Sequence, residues 1–130
     1  MPRMLCCLLI VLLTAQTASA GELVREFSGD RSAETAEFEV EAPWLIDWWV
    51  NSDYPQSMGI GIALVDARRG THEGRIVKTK APGNGLRLID KSGTFRFKVD
   101  ATVARWRIKV EQLTREEAEQ YTPKNSDQPE

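Results

Sequence analysis

The chain has 130 residues, of which 42% are hydrophobic and 28% charged, with two cysteines and one histidine. Its 17 basic and 19 acidic residues give a net charge of −2, which argues against a dedicated nucleic-acid binder. Both cysteines, Cys6 and Cys7, lie in a segment that we expect to be removed. The remaining chain then has no thiol for a disulfide, a nucleophile or a thiolate metal site.

The first twenty residues have the composition of a secretory signal peptide. Arg3 gives a positive start, ten apolar residues follow from Met4 to Leu13, and Ala18-Ser19-Ala20 supplies the small residues that signal peptidase accommodates. Ten apolar residues span about 15 Å as a helix, roughly half of a bilayer core, which is too short for a stable membrane anchor. We therefore predict cleavage after Ala20, a secreted or periplasmic protein, and no transmembrane segment in the mature chain.

Two other interpretations of the leader remain open, namely an uncleaved signal anchor and a lipoprotein acylated at Cys6. The lipoprotein is the weaker of the two, because Cys6 comes before the apolar stretch has run its course. Cleavage after Ala20 would leave 110 residues with 16 basic and 19 acidic side chains, and a net charge of −3. A mature chain of this length has the size of one domain.

Apolar and polar residues alternate with period two along most of the mature chain, which is typical of half-buried β-strands. The clearest alternation runs through residues 35–41, 44–51, 58–65, 94–100 and 105–111, with weaker strands predicted at 23–28, 74–79 and 86–89. Turn-forming sequences separate them at residues 42–43, 51–57, 68–70, 82–85 and 90–93. Seven or eight short strands with regular turns predict an all-β fold, an antiparallel β-sandwich or small barrel over residues 21–113.

The C-terminal segment 114–130 has a different character. Thr114 and Glu117 have the spacing of a capping box, which predicts a short helix of one or two turns through Tyr121. From Pro123 onward only proline and polar or charged residues follow, so we predict a disordered tail.

The four tryptophans carry most of the structural information in the sequence. Trp44, Trp48 and Trp106 lie on the apolar sides of their strands, so we expect an aromatic core between two sheets. Each buried indole N–H then needs a backbone carbonyl or a water. Trp49 lies on the opposite face, beside Asp47. We expect Trp49 to pack under a neighbouring loop or the C-terminal segment, and the alternatives are contact with a protein and stacking on a sugar ring.

Five basic side chains alternate with apolar ones on the last two strands, which we expect to be adjacent: Arg96, Lys98, Arg105, Arg107 and Lys109. Like charges on adjacent strands repel by about 0.2–1 kcal/mol for each directly opposed pair, so a partner row should offset them. The candidate partners are Glu37, Glu39 and Glu41. We expect cross-strand ion pairs between these rows. The functional alternative is a face for an anionic ligand, such as membrane lipid or a polyanionic polysaccharide.

The sequence offers little support for catalysis or metal binding. His72 lies in a loop by composition with no spaced ligand cluster, and no serine lies in a Gly-x-Ser-x-Gly turn. Gly59 and Gly61 belong to an alternating strand, and we expect them to allow close packing against Trp44 or Trp106. We therefore predict a protein that is not an enzyme, with no cofactor and no metal.

The order of the core motifs resembles that of a known group of proteins. These motifs are Phe27-x-Gly29, Phe38-x-Val40, Pro43-Trp44-x-Ile46-x-Trp48, Ser92-Gly93-Thr94-Phe95-x-Phe97-x-Val99 and Trp106-x-Ile108-x-Val110. Over residues 23–112 this succession resembles small exported bacterial β-sandwich domains of uncharacterised function, which occur as single secreted domains or behind lipoprotein leaders. The motifs are mostly core positions, so the resemblance implies a fold and no binding residues. Trp49 and the charged C-terminal extension depart from the pattern.

Taken together, these features predict a secreted or periplasmic, non-catalytic interaction module. Its partner is expected to be an envelope protein or a surface polysaccharide, and not a nucleic acid. The alternative is a carbohydrate-binding module that uses an exposed Trp49. The candidate binding residues are Trp49, Arg96, Lys98, Arg105, Arg107 and Lys109.

Overall fold

The computed structural model describes residues 21–121. The predicted signal peptide at 1–20 and the predicted tail from Pro123 lie outside the described residues. Within the described range are nine β-strands, a 3₁₀ turn at Pro55–Ser57 and a short helix, α1, at Arg115–Glu119. The strands in chain order are β1 Glu22–Gly29, β2 Ala33–Glu34, β3 Phe38–Val40, β4 Trp44–Asn51, β5 Gly59–Asp66, β6 His72–Thr79, β7 Gly83–Ile89, β8 Gly93–Thr102 and β9 Arg105–Gln112.

The strands form two sheets in which every pairing is antiparallel, which confirms the predicted all-β sandwich. Sheet I has the order β1-β9-β4-β7, and sheet II has the order β2-β8-β5-β6 with β3 also paired to β8. The two-residue β2 was not predicted. It shares one edge of β8 with β3, and Thr35 lies between them, where its Oγ1 accepts a hydrogen bond of 2.9 Å from the backbone N–H of Phe97.

The last two strands lie in different sheets, so the prediction that they are adjacent is wrong. β8 pairs with β5 in sheet II, whereas β9 pairs with β1 and β4 in sheet I. Alternation specifies which face of a strand is buried and not which strand lies beside it. The chain crosses between the sheets at Val103, whose φ of 49° is in the left-handed region that a β-branched residue rarely adopts.

An aromatic cluster fills the space between the sheets, as expected. Trp44, Phe95 and Phe97 are at most 1% exposed. Phe38 stacks on Phe97 with ring centroids 5.2 Å apart. The indole N–H of Trp44 donates to the carbonyl of Lys91 at 2.9 Å, and that of Trp106 donates to the carbonyl of Arg31 at 3.0 Å, so both polar ends are satisfied.

The segment predicted as a turn at residues 82–85 mostly belongs to strand β7. Gly83, Asn84 and Gly85 pair with β4, and Gly85 lies opposite Trp48. A Cβ at Gly85 would come within 2.6 Å of the Trp48 ring. The glycine therefore provides space for the half-buried indole, and its role is close packing rather than turn formation.

Helix α1 covers one end of the outer face of sheet I. The predicted capping box is present, since Thr114 Oγ1 accepts from the backbone N–H of Glu117 at 3.1 Å while the Glu117 carboxylate accepts from the backbone N–H of Thr114 at 2.8 Å. Leu45 of β4, which faces away from the main core, is buried beneath the helix against Leu113 and Ala118. No helix among residues 21–121 is long and apolar enough to span a membrane.

Candidate functional site

The five basic residues predicted to form one row lie on opposite surfaces of the sandwich. Arg96 and Lys98 are on the outer face of sheet II, and the other three are on the outer face of sheet I. The inner faces of β8 and β9 point toward each other across the core, so their outer faces point apart. The prediction that these five residues form a single basic face is therefore wrong. This separation also removes the repulsion that it implied.

On sheet I two of the three cations contact a partner within the protein. Arg105 forms two hydrogen bonds with the Asp53 carboxylate, at 3.0 and 3.2 Å. The guanidinium carbon of Arg107 lies 5.2 Å from the centre of the Trp49 ring. Lys109 lies on β9 in register with an acid on each neighbouring strand, Glu26 on β1 and Asp47 on β4. Arg105 and Arg107 are therefore engaged within the protein, whereas no carboxylate oxygen among residues 21–121 lies within 4.0 Å of the Lys109 ammonium.

The predicted ion pairs to the acidic row are also absent from the described residues. β3 does lie beside β8, with Glu39 opposite Thr94. Arg96, however, pairs with Glu34 at 4.0 Å, and no cation among residues 21–121 lies within 4.0 Å of Glu37 or Glu41. Arg96 pairs with Glu34 and not with the acidic row because β2 brings Glu34 close to Arg96 at the edge of sheet II.

Trp49 is half-buried on the outer face of sheet I, between Arg107 of β9 and Asn84 of β7. Its cover is the Arg107 side chain, at the distance of a cation–π contact. This differs from the expected cover by a loop or the C-terminal segment. The helix α1 packs instead around Leu45 and Leu88.

Sheet II carries an open groove of about 950 Å³ on its outer face. Its floor is the outward side of β5, formed by Gly59, Gly61 and Ala63. A Cβ built at Gly59 or Gly61 would meet no atom within 4 Å. The expectation that these glycines pack against a tryptophan is therefore wrong. Trp106 is instead approached by Gly29, where a Cβ would lie 2.8 Å from the ring.

Long charged side chains flank the small floor residues on both neighbouring strands. Ala63 lies in register between Arg75 of β6 and Lys98 of β8. Two residues along β5, Gly61 lies in register between Lys78 and Asp100. Because neighbouring strands are about 4.8 Å apart, the two walls stand roughly 10 Å from each other. The arrangement is a trough with charged walls and a floor that lacks long side chains.

The groove is strongly cationic. Its charged lining consists of four basic residues and one acid, Arg75, Lys78, Lys80, Lys98 and Asp100, with His72 at the rim. Within residues 21–121 no carboxylate oxygen lies within 4.0 Å of the charged nitrogens of these basic residues. Lys98 lies in register with Glu34 of β2 but forms no ion pair with it. The positive charge of these residues is therefore available to a ligand, in contrast to Arg105 and Arg107 on sheet I.

Of the groove residues, the sequence predicted only Lys98 as a binding residue. Arg75 and Lys78 were missed because the alternation of β6 is broken. The pairing of β5 with β6 shifts between Ile62 and Ala63, which leaves Ile76 and Val77 as two consecutive apolar residues between the two outward cations. The sequence signal that could have found them is the spacing of two basic residues, Arg75 and Lys78, around two consecutive apolar residues. A β-bulge places such a pair on the same face of a strand.

Comparison with known proteins assigns no family. The chain matches no family model, and no curated protein matches it. The resemblance to small exported bacterial β-sandwich domains therefore stays a prediction.

Proposed function

We propose that the protein is an exported, non-catalytic binding module that holds an acidic polysaccharide in the groove of sheet II. The observation that carries this proposal is a floor of small residues with three cations along it that form no ion pair within residues 21–121: Arg75 and Lys98 beside Ala63, and Lys78 beside Gly61. The secreted or periplasmic location belongs to the same proposal and rests on the composition of residues 1–20.

The shape of the groove favours an extended ligand. From Gly59 to Ala63 the floor runs along β5 for about 13 Å, at roughly 3.3 Å per residue. The lateral rows of charged residues repeat every second residue, about 7 Å apart. A floor without long side chains lets a chain of sugar rings approach the sheet closely, while its carboxylate or sulfate groups reach the walls. A single small anion would use only one such row.

The charge distribution favours a polyanion. The full chain is slightly acidic, with a net charge of −2, so attraction to anions must be local. One exposed ion pair contributes only about 0–1 kcal/mol, and affinity therefore requires several simultaneous contacts. Such binding weakens with salt, because the screening length falls from about 30 Å at 0.01 M to about 8 Å at 0.15 M.

The experiment measures retention on immobilised polygalacturonate and on heparin as acidic probes, with neutral dextran as the reference polymer. We expect retention on both acidic polymers at low salt, loss toward about 0.15 M salt, and none on dextran. The double variant Lys78→Gln with Lys98→Gln should lose most of the retention. The matched control is Arg105→Gln with Lys109→Gln on sheet I, which removes the same charge and should retain binding.

Two outcomes would contradict the proposal. Equal weakening by both double variants would show that net charge, and not the groove, attracts the polymer. Retention on dextran equal to that on the acidic polymers would show that the charged walls of the groove do not contribute to binding. A circular dichroism spectrum of each variant verifies that the sandwich is intact.

The alternative carbohydrate site at Trp49 has weaker support. Stacking of a sugar requires a free ring face, and the Arg107 guanidinium lies over this ring at 5.2 Å. Trp49 is also on the opposite sheet from the unpaired cations. We therefore expect Trp49→Phe to leave retention on the acidic polymers unchanged.

A further inference from the structure

The backbone nitrogen of Gly21 donates a hydrogen bond of 2.7 Å to Oε2 of Glu117 on helix α1. The other oxygen of this carboxylate, Oε1, accepts from the backbone N–H of Thr114 at 2.8 Å. One carboxylate therefore joins Thr114, the N-cap of the helix, to Gly21, which lies 96 positions before Glu117 in the chain. Together the backbone N–H groups of Thr114 and Gly21 hold the pKa of Glu117 below its usual value of 4.5.

The position of residue 21 is closely defined by its surroundings. Gly21 has φ of +76°, which favours glycine, and a Cβ there would lie 2.7 Å from both the Gln112 carbonyl oxygen and a methyl carbon of Leu113. Any larger residue would be displaced from the end of β9. The nitrogen of residue 21 is thus placed at Glu117 by packing as well as by the hydrogen bond.

Acidic residues lie beside this nitrogen, since Glu117 accepts its hydrogen bond and the Cβ of Glu111 is 3.3 Å from the position of a Cβ at Gly21. Burial raises the pKa of Glu111, and the negative charges of Asp47 and Glu117 raise it further, while Lys109 lowers it. Burial and the same acids raise the pKa of Tyr121. A positive charge at residue 21 would be attracted by this group of acids.

No basic side chain among residues 21–121 lies within 4.0 Å of the Glu117 carboxylate. Arg115, on the same helix, is directed to Asp90, with 3.6 Å between its Nη1 and the carboxylate. Glu22, which follows Gly21, adds a further acid. Lys109 lies in register with Asp47 and acts on Glu111, but it forms no ion pair with Glu117. A positive charge on the nitrogen of residue 21 would be the direct partner of Glu117.

We propose that cleavage of the Ala20–Gly21 bond places a positively charged α-amino group at this position, where its ion pair with Glu117 fastens helix α1 onto sheet I. In the hydrolysis, water gives its hydroxyl to the Ala20 carbonyl carbon and a proton to the Gly21 nitrogen. The new amine takes a second proton from solvent. The inference rests on the export part of the proposed function and is independent of the ligand in the groove.

The Gly21 nitrogen and the Glu117 carboxylate need no rearrangement to form this ion pair. Charge-assisted N–H···O bonds between an ammonium and a carboxylate are about 2.7–2.9 Å long, and the Gly21 nitrogen already lies at 2.7 Å. In the uncleaved chain the same nitrogen is a neutral amide that continues into the leader. Cleavage therefore strengthens an existing contact, and it does so at the helix that covers Leu45.

The first measurement is the mass of the exported product from cells that express the full 130-residue chain. We expect a mature terminus at Gly21. The second is an NMR titration of the α-amino group in that product. Its pKa should lie about one unit above the usual 7.7–8.0, which is a tenfold preference for the charged form. Glu117→Gln should return the α-amino pKa to the usual range, and the matched control Glu116→Gln on the same helix should not.

The pH dependence of stability gives a readout that keeps Glu117 intact. A folded pKa raised above the unfolded value means that the stabilisation is complete below about pH 7.7 and is lost as the pH rises through the folded pKa. A chain that keeps Ala20 in front of Gly21 moves the ammonium away and should lack this alkaline loss. A mature terminus other than Gly21, or an α-amino pKa that is the same with and without Glu117, would overturn the proposal. Failure of polymer retention alone would leave it standing, because the two tests share no residue.

Discussion

Filling the floor of the groove with one side chain should raise stability and abolish binding at the same time. The substitution Gly61→Val places a branched side chain at the centre of β5, between Lys78 and Asp100. Most substitutions that block a binding site also destabilise the fold. Here the two effects should have opposite signs, which makes the variant informative.

The expected gain in stability follows from the space around Gly61. No atom lies within 4 Å of a Cβ built there, and the backbone is outside the left-handed region. Glycine within a strand costs about 0.5–1 kcal/mol relative to alanine, and valine has a further β-sheet preference within a scale of about 1 kcal/mol. We expect the free energy of unfolding to increase by about 1 kcal/mol, measured by urea denaturation followed through tryptophan fluorescence.

A glycine on the opposite sheet provides the control. At Gly85 the new Cβ would approach the Trp48 ring to 2.6 Å, so Gly85→Ala should lower the free energy of unfolding by about 1–3 kcal/mol. Retention of Gly61→Val on polygalacturonate should fall to the level of neutral dextran. The reasoning is refuted if Gly61→Val destabilises the domain, or if it binds the acidic polymer as well as the unsubstituted protein does.

Three further predictions concern the crossover, the core and the helix. Val103→Gly should raise the free energy of unfolding by about 1 kcal/mol in urea, because it relieves the φ of 49°; a loss would show that the Val103 side chain is needed. Phe97→Ala should lower it by about 3–5 kcal/mol, since Phe97 is fully buried; a loss below about 1 kcal/mol would contradict the stacked core. Acid should loosen helix α1, because the lowered pKa of Glu117 gives stability that is complete above pH 4.5 and lost as the pH falls through the folded value. Hydrogen exchange at Ala118 measures this, and Glu117→Gln should remove the acid dependence.

The elements were largely predictable, because alternation reports burial directly. Trp44, Phe95 and Phe97 are in the core as expected, and the capping box begins α1. What alternation does not contain is strand pairing. It gave the correct outward direction for Arg96 and Arg105 but placed them on one surface, because the partner of a strand depends on contacts between residues far apart in sequence.

The groove was harder to predict than the fold, for two physical reasons. Gly59 and Gly61 leave space beside β5, but the sequence does not show whether a core tryptophan or solvent occupies that space. The bulge between Ile62 and Ala63 also shifts β6, so its cations do not follow a simple alternation. Lys98 was identified because β8 is regular in this region.

The order of strands in the two sheets has a consequence for the time course of folding. The first strand, β1, pairs only with the last, β9, so Glu22 and Gln112 must meet across most of the chain. Sheet II likewise lacks its central strand until β8 is available. Because the chain is synthesised from its N-terminus, neither sheet can be completed until nearly all of the chain has been made. Such non-local pairing is intrinsically slow, so strand edges of both sheets stay unpaired, and open to wrong contacts, until the C-terminal strands arrive.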